Sequence, residues 1–166
     1  MMWSVKVSRG FTLLELIVVV ALLGMIASVV TVRVGSSLER TRFEAAVREC
    51  ATLFRMAKTH AIYQHCRVRV VYSPDSRQLR VASLVRNHEG AIKEVHLKTF
   101  RVPDVVSSFD FEASGFRTPS PDQQITFTSI GTSQGGRILM KSAKAAAKRI
   151  TITPLSGVVR IEKADA

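Results

Sequence analysis

Acidic residues are scarce in this chain, 13 Asp and Glu against 24 Lys and Arg, and cysteine, tryptophan and tyrosine are scarcer still. Only two cysteines occur, Cys50 and Cys66. On one continuous helix their Cα atoms would lie about 24 Å apart, against a limit of roughly 7 Å for a bridge, which argues against an intrachain disulfide unless the helix ends well before Cys66. Cys50 falls on an apolar stripe and reads as a small core residue, whereas the state of Cys66 stays open. The four histidines, His60, His65, His88 and His96, show no metal-ligand spacing, and no His-Glu-x-x-His occurs. No metal and no cofactor is expected. With one tryptophan and two tyrosines, no aromatic-rich platform for stacking bases accompanies the basic residues. The stretch Gly131-Thr132-Ser133-Gln134-Gly135 matches the Gly-x-Ser-x-Gly nucleophile elbow in letters. That elbow needs a helix after it, and Gly136 with another short β run follows instead, so a hairpin connection is expected and an enzyme is not. No repeat, low-complexity tract or second domain is visible.

What the chain has instead is a long apolar run, Leu13 to Val32, 20 residues with Glu15 as the one ionisable member. At about 1.5 Å per residue it spans about 30 Å, the thickness of a bilayer core. Ten residues precede Phe11, carrying Lys6 and Arg9 and no acid, and Arg33 is the first charge beyond the run. Basic residues stay cytoplasmic, which places the N-terminus in the cytoplasm and exports the remainder. A cleaved secretory signal would have a shorter apolar core and a small-x-small site after it, and Val32-Arg33-Val34-Gly35 is a poor substitute. An uncleaved single anchor, bearing a hydrolytic or carrier domain, is the other plain alternative. A carboxylate within such a run costs roughly 2.5 to 3.5 kcal/mol, so Glu15 needs a partner or a role. One role is local: Thr12-x-x-Glu15 matches a capping box at a helix N-terminus.

Gly10-Phe11-Thr12-Leu13-Leu14-Glu15-Leu16-Ile17 resembles the N-terminus of type IV prepilins and type II secretion pseudopilins. The resemblance implies that a prepilin peptidase removes residues 1–10 by cutting between Gly10 and Phe11 and methylates the new Phe11 amine. It also implies that Glu15 neutralises the free amino terminus of a neighbouring subunit during assembly. The cut would supply a cation at the same membrane depth as the carboxylate, and capping and assembly roles are compatible in one residue.

Beyond the apolar run, Phe43, Val47, Cys50, Phe54, Ala57 and Ala61 recur every three or four residues, while Arg40, Glu44, Arg48, Arg55 and Lys58 fall mostly elsewhere. This predicts one helix from about residue 11 to 64, roughly 80 Å long, with Gly24 and Gly35 as bends or close-packing points. From Arg67 the period changes to two, and β-rich runs follow at 78–86, 94–102, 105–111, 125–130, 149–153 and 158–161, separated by turn signals that include Ser114 to Asp122. The fold class is therefore α+β: a long N-terminal helix, transmembrane in its first half and amphipathic in its second, packed on a mostly antiparallel sheet domain, which the resemblance implies is pilin-like. Taken with the prepilin resemblance, this implies three segments: a leader at 1–10, a membrane and assembly helix at 11–34, and a periplasmic domain at 35–166.

Ile125 to Gly131, Gly135 to Leu139, Lys148 to Ile152 and Gly157 to Ile161 resemble the closing strands of the GspH/FimT group of minor pilins. The resemblance implies a minor pseudopilin of a type II secretion system, anchored once in the inner membrane and assembled into a periplasmic pseudopilus. Its partners would be the prepilin peptidase, other pseudopilins or pilins, the inner membrane and secreted cargo. Loss of Lys6 and Arg9 with the leader lowers the net charge from +11 to +9. Such a surface attracts polyanions; Lys141, Lys144, Lys148 and Arg149 form its densest cluster, expected on a connection between two strands, and with Arg137 and Arg160 nearby in sequence they are the candidates for partner or DNA contacts. The alternative is therefore a FimT-like pilin that captures DNA through a Gly-Arg-x-Arg element. Here that element reads Gly157-Val158-Val159-Arg160, without its first arginine. A solvated surface facing lipid head groups or partner subunits is the competing account of the charge.

Overall fold

Thr12 starts the long helix. Its Oγ1 accepts a hydrogen bond from the Glu15 amide at 3.3 Å, and its carbonyl accepts from the Glu15 and Leu16 amides at 3.1 and 3.3 Å. A threonine cap thus satisfies amide groups that have no partner within the helix. From there α1 runs Leu13–Tyr63 in this computed structural model, which describes residues 11–86, 90–113 and 123–164, with only the backbone described for 27–36. At the far end His65 takes a left-handed φ of 47°, the Cys66 amide donates to the Ala61 carbonyl at 3.1 Å and the His65 amide donates to Ile62 at 3.3 Å. This paired arrangement closes the last turn and directs the chain into the first strand.

The chain divides into two compact units, residues 1–38 and 39–166. In the first, the described apolar side chains from Leu13 to Ile26 are exposed. Among the described residues no helix is long and apolar enough to cross a membrane. The expected span, Leu13 to Val32, extends into 27–32, whose side chains lie outside the described residues, as does Gly35. Gly24 lies within α1, and among the described residues nothing packs where a Cβ would project.

In the second unit the apolar stripe of α1 is buried as its spacing predicts: Phe43, Val47, Cys50, Phe54, Ala57 and Ala61 are all in the core, joined by Ala46, Ala51 and Leu53. Among the described residues eight strands follow: β1 (Arg67–Ser73), β2 (Gln78–Arg86), β3 (Ile92–Arg101), β4 (Ser108–Ala113), β5 (Gln124–Phe127), β6 (Gly136–Ser142), β7 (Ala145–Ile152) and β8 (Val159–Lys163). They form two antiparallel four-stranded sheets, ordered β3-β2-β1-β5 and β4-β6-β7-β8. The chain leaves the first sheet after β3, returns to add β5 and leaves again. Both sheets bury alternate residues in one core with the helix, including Val68, Val70, Leu79 and Ile125 from the first and Ile138, Met140, Ile150 and Ile152 from the second. Tyr72 of β1 joins them, its ring centroid 4.7 Å from Phe109 and 5.8 Å from Phe111 of β4.

Boundaries of β4, β5 and β7 differ most from the sequence expectation, for identifiable reasons. β4 begins at Ser108 and not near Val105, because Val106 turns back to donate to the Pro103 carbonyl at 3.0 Å. β5 stops at Phe127, short of Ile130, because Thr128 and Thr132 close a loop through amide-to-carbonyl (2.9 Å) and hydroxyl-to-hydroxyl (2.6 Å) bonds. β7 begins at Ala145, earlier than Arg149, because its alanines carry little strand preference of their own and are held by pairing with β6.

Candidate functional site

Two regions were singled out by sequence, and the fold treats them differently. At the N-terminus Phe11 is exposed and Glu15 occupies the first turn of α1, where the positive end of the helix favours a carboxylate. Gly10, with the rest of residues 1–10, lies outside the described residues.

The basic cluster is divided by strand alternation. Lys144 alone sits on a connection, the tight turn between β6 and β7, while Lys141 is in β6, Lys148 and Arg149 in β7, Arg137 in β6 and Arg160 in β8. The expected loop patch is corrected in this respect: a turn of two residues leaves no room for four cations, and successive strand residues face opposite sides. Lys148 shares its side with Ile150 and Ile152, and its Nζ meets Glu44 Oε1 of α1 at 3.5 Å. Lys144 Nζ donates to Glu39 Oε1 at 2.9 Å.

On the opposite side of the second sheet the register sets Glu112, Arg137, Thr151 and Arg160 in one cross-strand row, and Asp110, Leu139, Arg149 and Glu162 in the next. Three arginines are interleaved with three carboxylates, so this face is mixed in charge. Sequence reading missed Glu39 and Glu44 as partners and these acids as neighbours. Only the pairing order of the strands brings them there.

The Gly131 to Gly135 stretch connects β5 to β6, with Ser133 buried, paired to Phe127 as an isolated bridge, and its Oγ accepting from the Gly135 amide at 3.0 Å. The serine supports a loop, and a strand follows where a nucleophile elbow would have a helix. Both cysteines are free. Burial pushes the Cys50 thiol far above its ordinary range, with the Glu49 charge adding to the effect. Cys66, at the end of the helix, is raised by burial and partly lowered again by a backbone hydrogen bond. Such thiols resist ionisation and are poor nucleophiles at neutral pH. Among the described residues no group of three His, Cys, Asp or Glu side chains could hold a metal ion.

The family model for the prokaryotic N-terminal methylation motif matches residues 5–31, and that for type II transport protein GspH matches residues 46–156. The chain belongs to the GspH family. The second match covers α1 from Ala46 onward and both sheets up to the β7–β8 loop, while the first covers the segment around Gly10, Phe11 and Glu15. A search of curated proteins yields no match. Among solved structures, the GspH-family chain is similar to the minor pseudopilin EpsH from the type 2 secretion system of Vibrio cholerae. One such structure gives a TM-score of 0.57 at 14% identity, covering 76% of this chain and 98% of that one; another gives 0.55 at 15%, covering 72% and 95%. It is also similar to the type IV minor pilin FimU of Pseudomonas aeruginosa, with a TM-score of 0.54 at 15% identity, covering 76% and 91%. At these identities the likeness is one of fold, a helix on antiparallel sheet.

Proposed function

We propose that this GspH-family chain is a minor pseudopilin of a type II secretion system, a structural subunit or tip component of a periplasmic pseudopilus. The observation that carries the reading is the union, in one chain, of a methylation motif at residues 5–31 and a GspH domain at 46–156. In this reading residues 1–10 are a leader cut after Gly10, 11–34 hold the protein once in the inner membrane with its N-terminus cytoplasmic, and 35–166 form the periplasmic domain. The cut frees the Phe11 amine for methylation. Glu15 then meets the Phe11 amine of a neighbouring subunit, so that helix docking in lipid, which lacks a hydrophobic drive, gains a polar pairing that sets register. The sheet domain is left to contact sister pseudopilins or cargo.

Glu15→Ala should leave processing intact and abolish incorporation into filaments; normal recovery of the variant in sheared pseudopili would sink the role given to Glu15. Intact mass should show loss of residues 1–10 together with one methyl group, and Gly10→Leu should abolish that change. The DNA-capturing alternative gains little from the surface: Val158 stands where its first arginine would be, and Arg137, Arg149 and Arg160 share a face with Asp110, Glu112 and Glu162.

A further inference from the structure

The outer face of the first sheet carries a cleft of about 560 Å³ whose chemistry the assembly role does not use. Its floor comes from β1, β2 and β5. Arg67 stands opposite Leu84, and Arg69 opposite Ala82 on one side and Thr126 on the other, so neither arginine has an acid directly across from it; Glu94 of β3, opposite Leu84, lines an adjoining cavity with Arg69. Among the described residues lining it there is no acid and no aromatic ring; Glu94 and His96 belong to the adjoining cavity. Arg69 Nε is buried with no hydrogen-bond partner among the described residues, an arrangement that costs free energy unless water or a ligand completes it.

The rim supplies a second, independent observation. Leu155, in the β7–β8 loop, has a left-handed φ of 64° and remains 76% exposed. A leucine in that conformation is strained, and its apolar side chain gains nothing from water. It is nevertheless held in place: its amide donates to the Ser133 carbonyl at 2.9 Å, and the neighbouring Pro154 ring packs close against Gly135. The wall is therefore built before any ligand arrives, with cations at the base and an aliphatic lip above them.

We propose that this cleft docks an extended acidic segment of a protein partner, a carboxylate seated on the Arg67 and Arg69 guanidiniums and an adjacent aliphatic side chain lodged between Leu84 and Leu155. Planar guanidiniums pair with carboxylates through two parallel hydrogen bonds, and strand-like spacing puts the aliphatic neighbour on the wall. Nucleic acid suits the site less well, because no ring is present to stack a base. The proposal does not rest on the secretion reading, since it concerns the isolated domain surface.

The test uses the full chain in detergent micelles and a fluorescein-labelled peptide of alternating Glu and Leu, followed by polarisation. Saturable binding is expected, weakened about tenfold by Arg69→Gln or Arg67→Gln and by replacing the peptide's Glu with Gln. Leu155→Gly should weaken binding severalfold while leaving the melting temperature equal or higher, a combination that a merely structural leucine would not produce. Arg149→Gln, on the other sheet, should change nothing. The proposal is overturned by absence of saturable binding up to about 1 mM peptide, by equal affinity for the Gln peptide, or by Arg67 and Arg69 variants that bind normally. Displacement of the peptide by a single-stranded oligonucleotide whose own binding requires Arg69 would also overturn it, in favour of nucleic acid.

Discussion

Gly157→Ala tests how tightly the β5–β6 and β7–β8 loops are locked together. Gly157 has a φ of +58°, and a Cβ built on it would stand 2.5 Å from the Gly131 carbonyl oxygen and 3.4 Å from the Phe127 ring. The obstacle is backbone, so one of the two loops must move. Around it the Gly157 amide donates to the Thr153 carbonyl at 2.9 Å, the Thr153 amide to Val158 at 2.9 Å, and Lys58 Nζ to the Ser156 carbonyl at 2.8 Å. A left-handed alanine costs about 1 to 2 kcal/mol, and loss of one or two of these hydrogen bonds adds about 1 to 2, giving a destabilisation of about 2 to 4 kcal/mol. Gly90 supplies the control: its φ is +84° but nothing among the described residues lies within 4 Å of a built Cβ, so alanine there should carry the backbone cost alone. Urea unfolding of both variants, followed by far-UV circular dichroism, should show a shifted midpoint at unchanged slope. If Gly157→Ala is no less stable than Gly90→Ala, the close contact with Gly131 does not hold the loops and the reasoning fails.

Cys50 should make stability fall at high pH. The folded state keeps the thiol protonated, while the unfolded chain loses the proton above the ordinary value of 9.0, so the unfolded state is favoured as pH rises past that value. Between pH 9 and 11 the wild type should lose up to about 1.4 kcal/mol per pH unit relative to Cys50→Ala, and parallel pH profiles for the two proteins would refute this. The two helix-to-hairpin ion pairs should differ in weight. Lys144→Ala removes an exposed partner of Glu39 and should change stability by less than about 0.5 kcal/mol; Lys148→Ala, at 16% side-chain exposure, also strips a packed aliphatic stem and should cost about 1 to 2 kcal/mol. Equal urea midpoints would contradict the difference in burial. A mobility-shift titration of the full chain with duplex DNA at two salt concentrations should show no salt-sensitive complex at micromolar protein, and a strong one would restore the DNA-capture alternative.

Much of the architecture was legible because backbone geometry imposes its own periods. The spacing of Phe43, Val47, Cys50, Phe54, Ala57 and Ala61 anticipated the buried face of α1, and alternation anticipated β2 at Gln78–Arg86. Thr12 and Glu15 announced the helix start, and the amide-to-hydroxyl bond between them is the one expected of a cap. The division into two sheets was not legible, since alternation says which side chains share a face of a strand and nothing about which strand lies beside it. The basic residues show the same limit. In sequence, Lys141 to Arg149 form one dense run; in space, Lys144 and Lys148 reach Glu39 and Glu44, and Arg149 lies between Leu139 and Glu162.

The sequence by itself determined the family, the helix with its apolar stripe and the strand-rich remainder, together with the Gly10, Phe11 and Glu15 motif on which the proposed maturation depends. These are local properties, set by residue identity and periods of 3.6 and 2 along one segment. Only the tertiary structure decided which charges neutralise one another, that Leu155 is held in a strained conformation over Arg67 and Arg69, and that a cleft exists there at all. Those outcomes depend on closing loops between strands distant in the chain, where the free energy lies in pairing order and packing and not in any single stretch of residues.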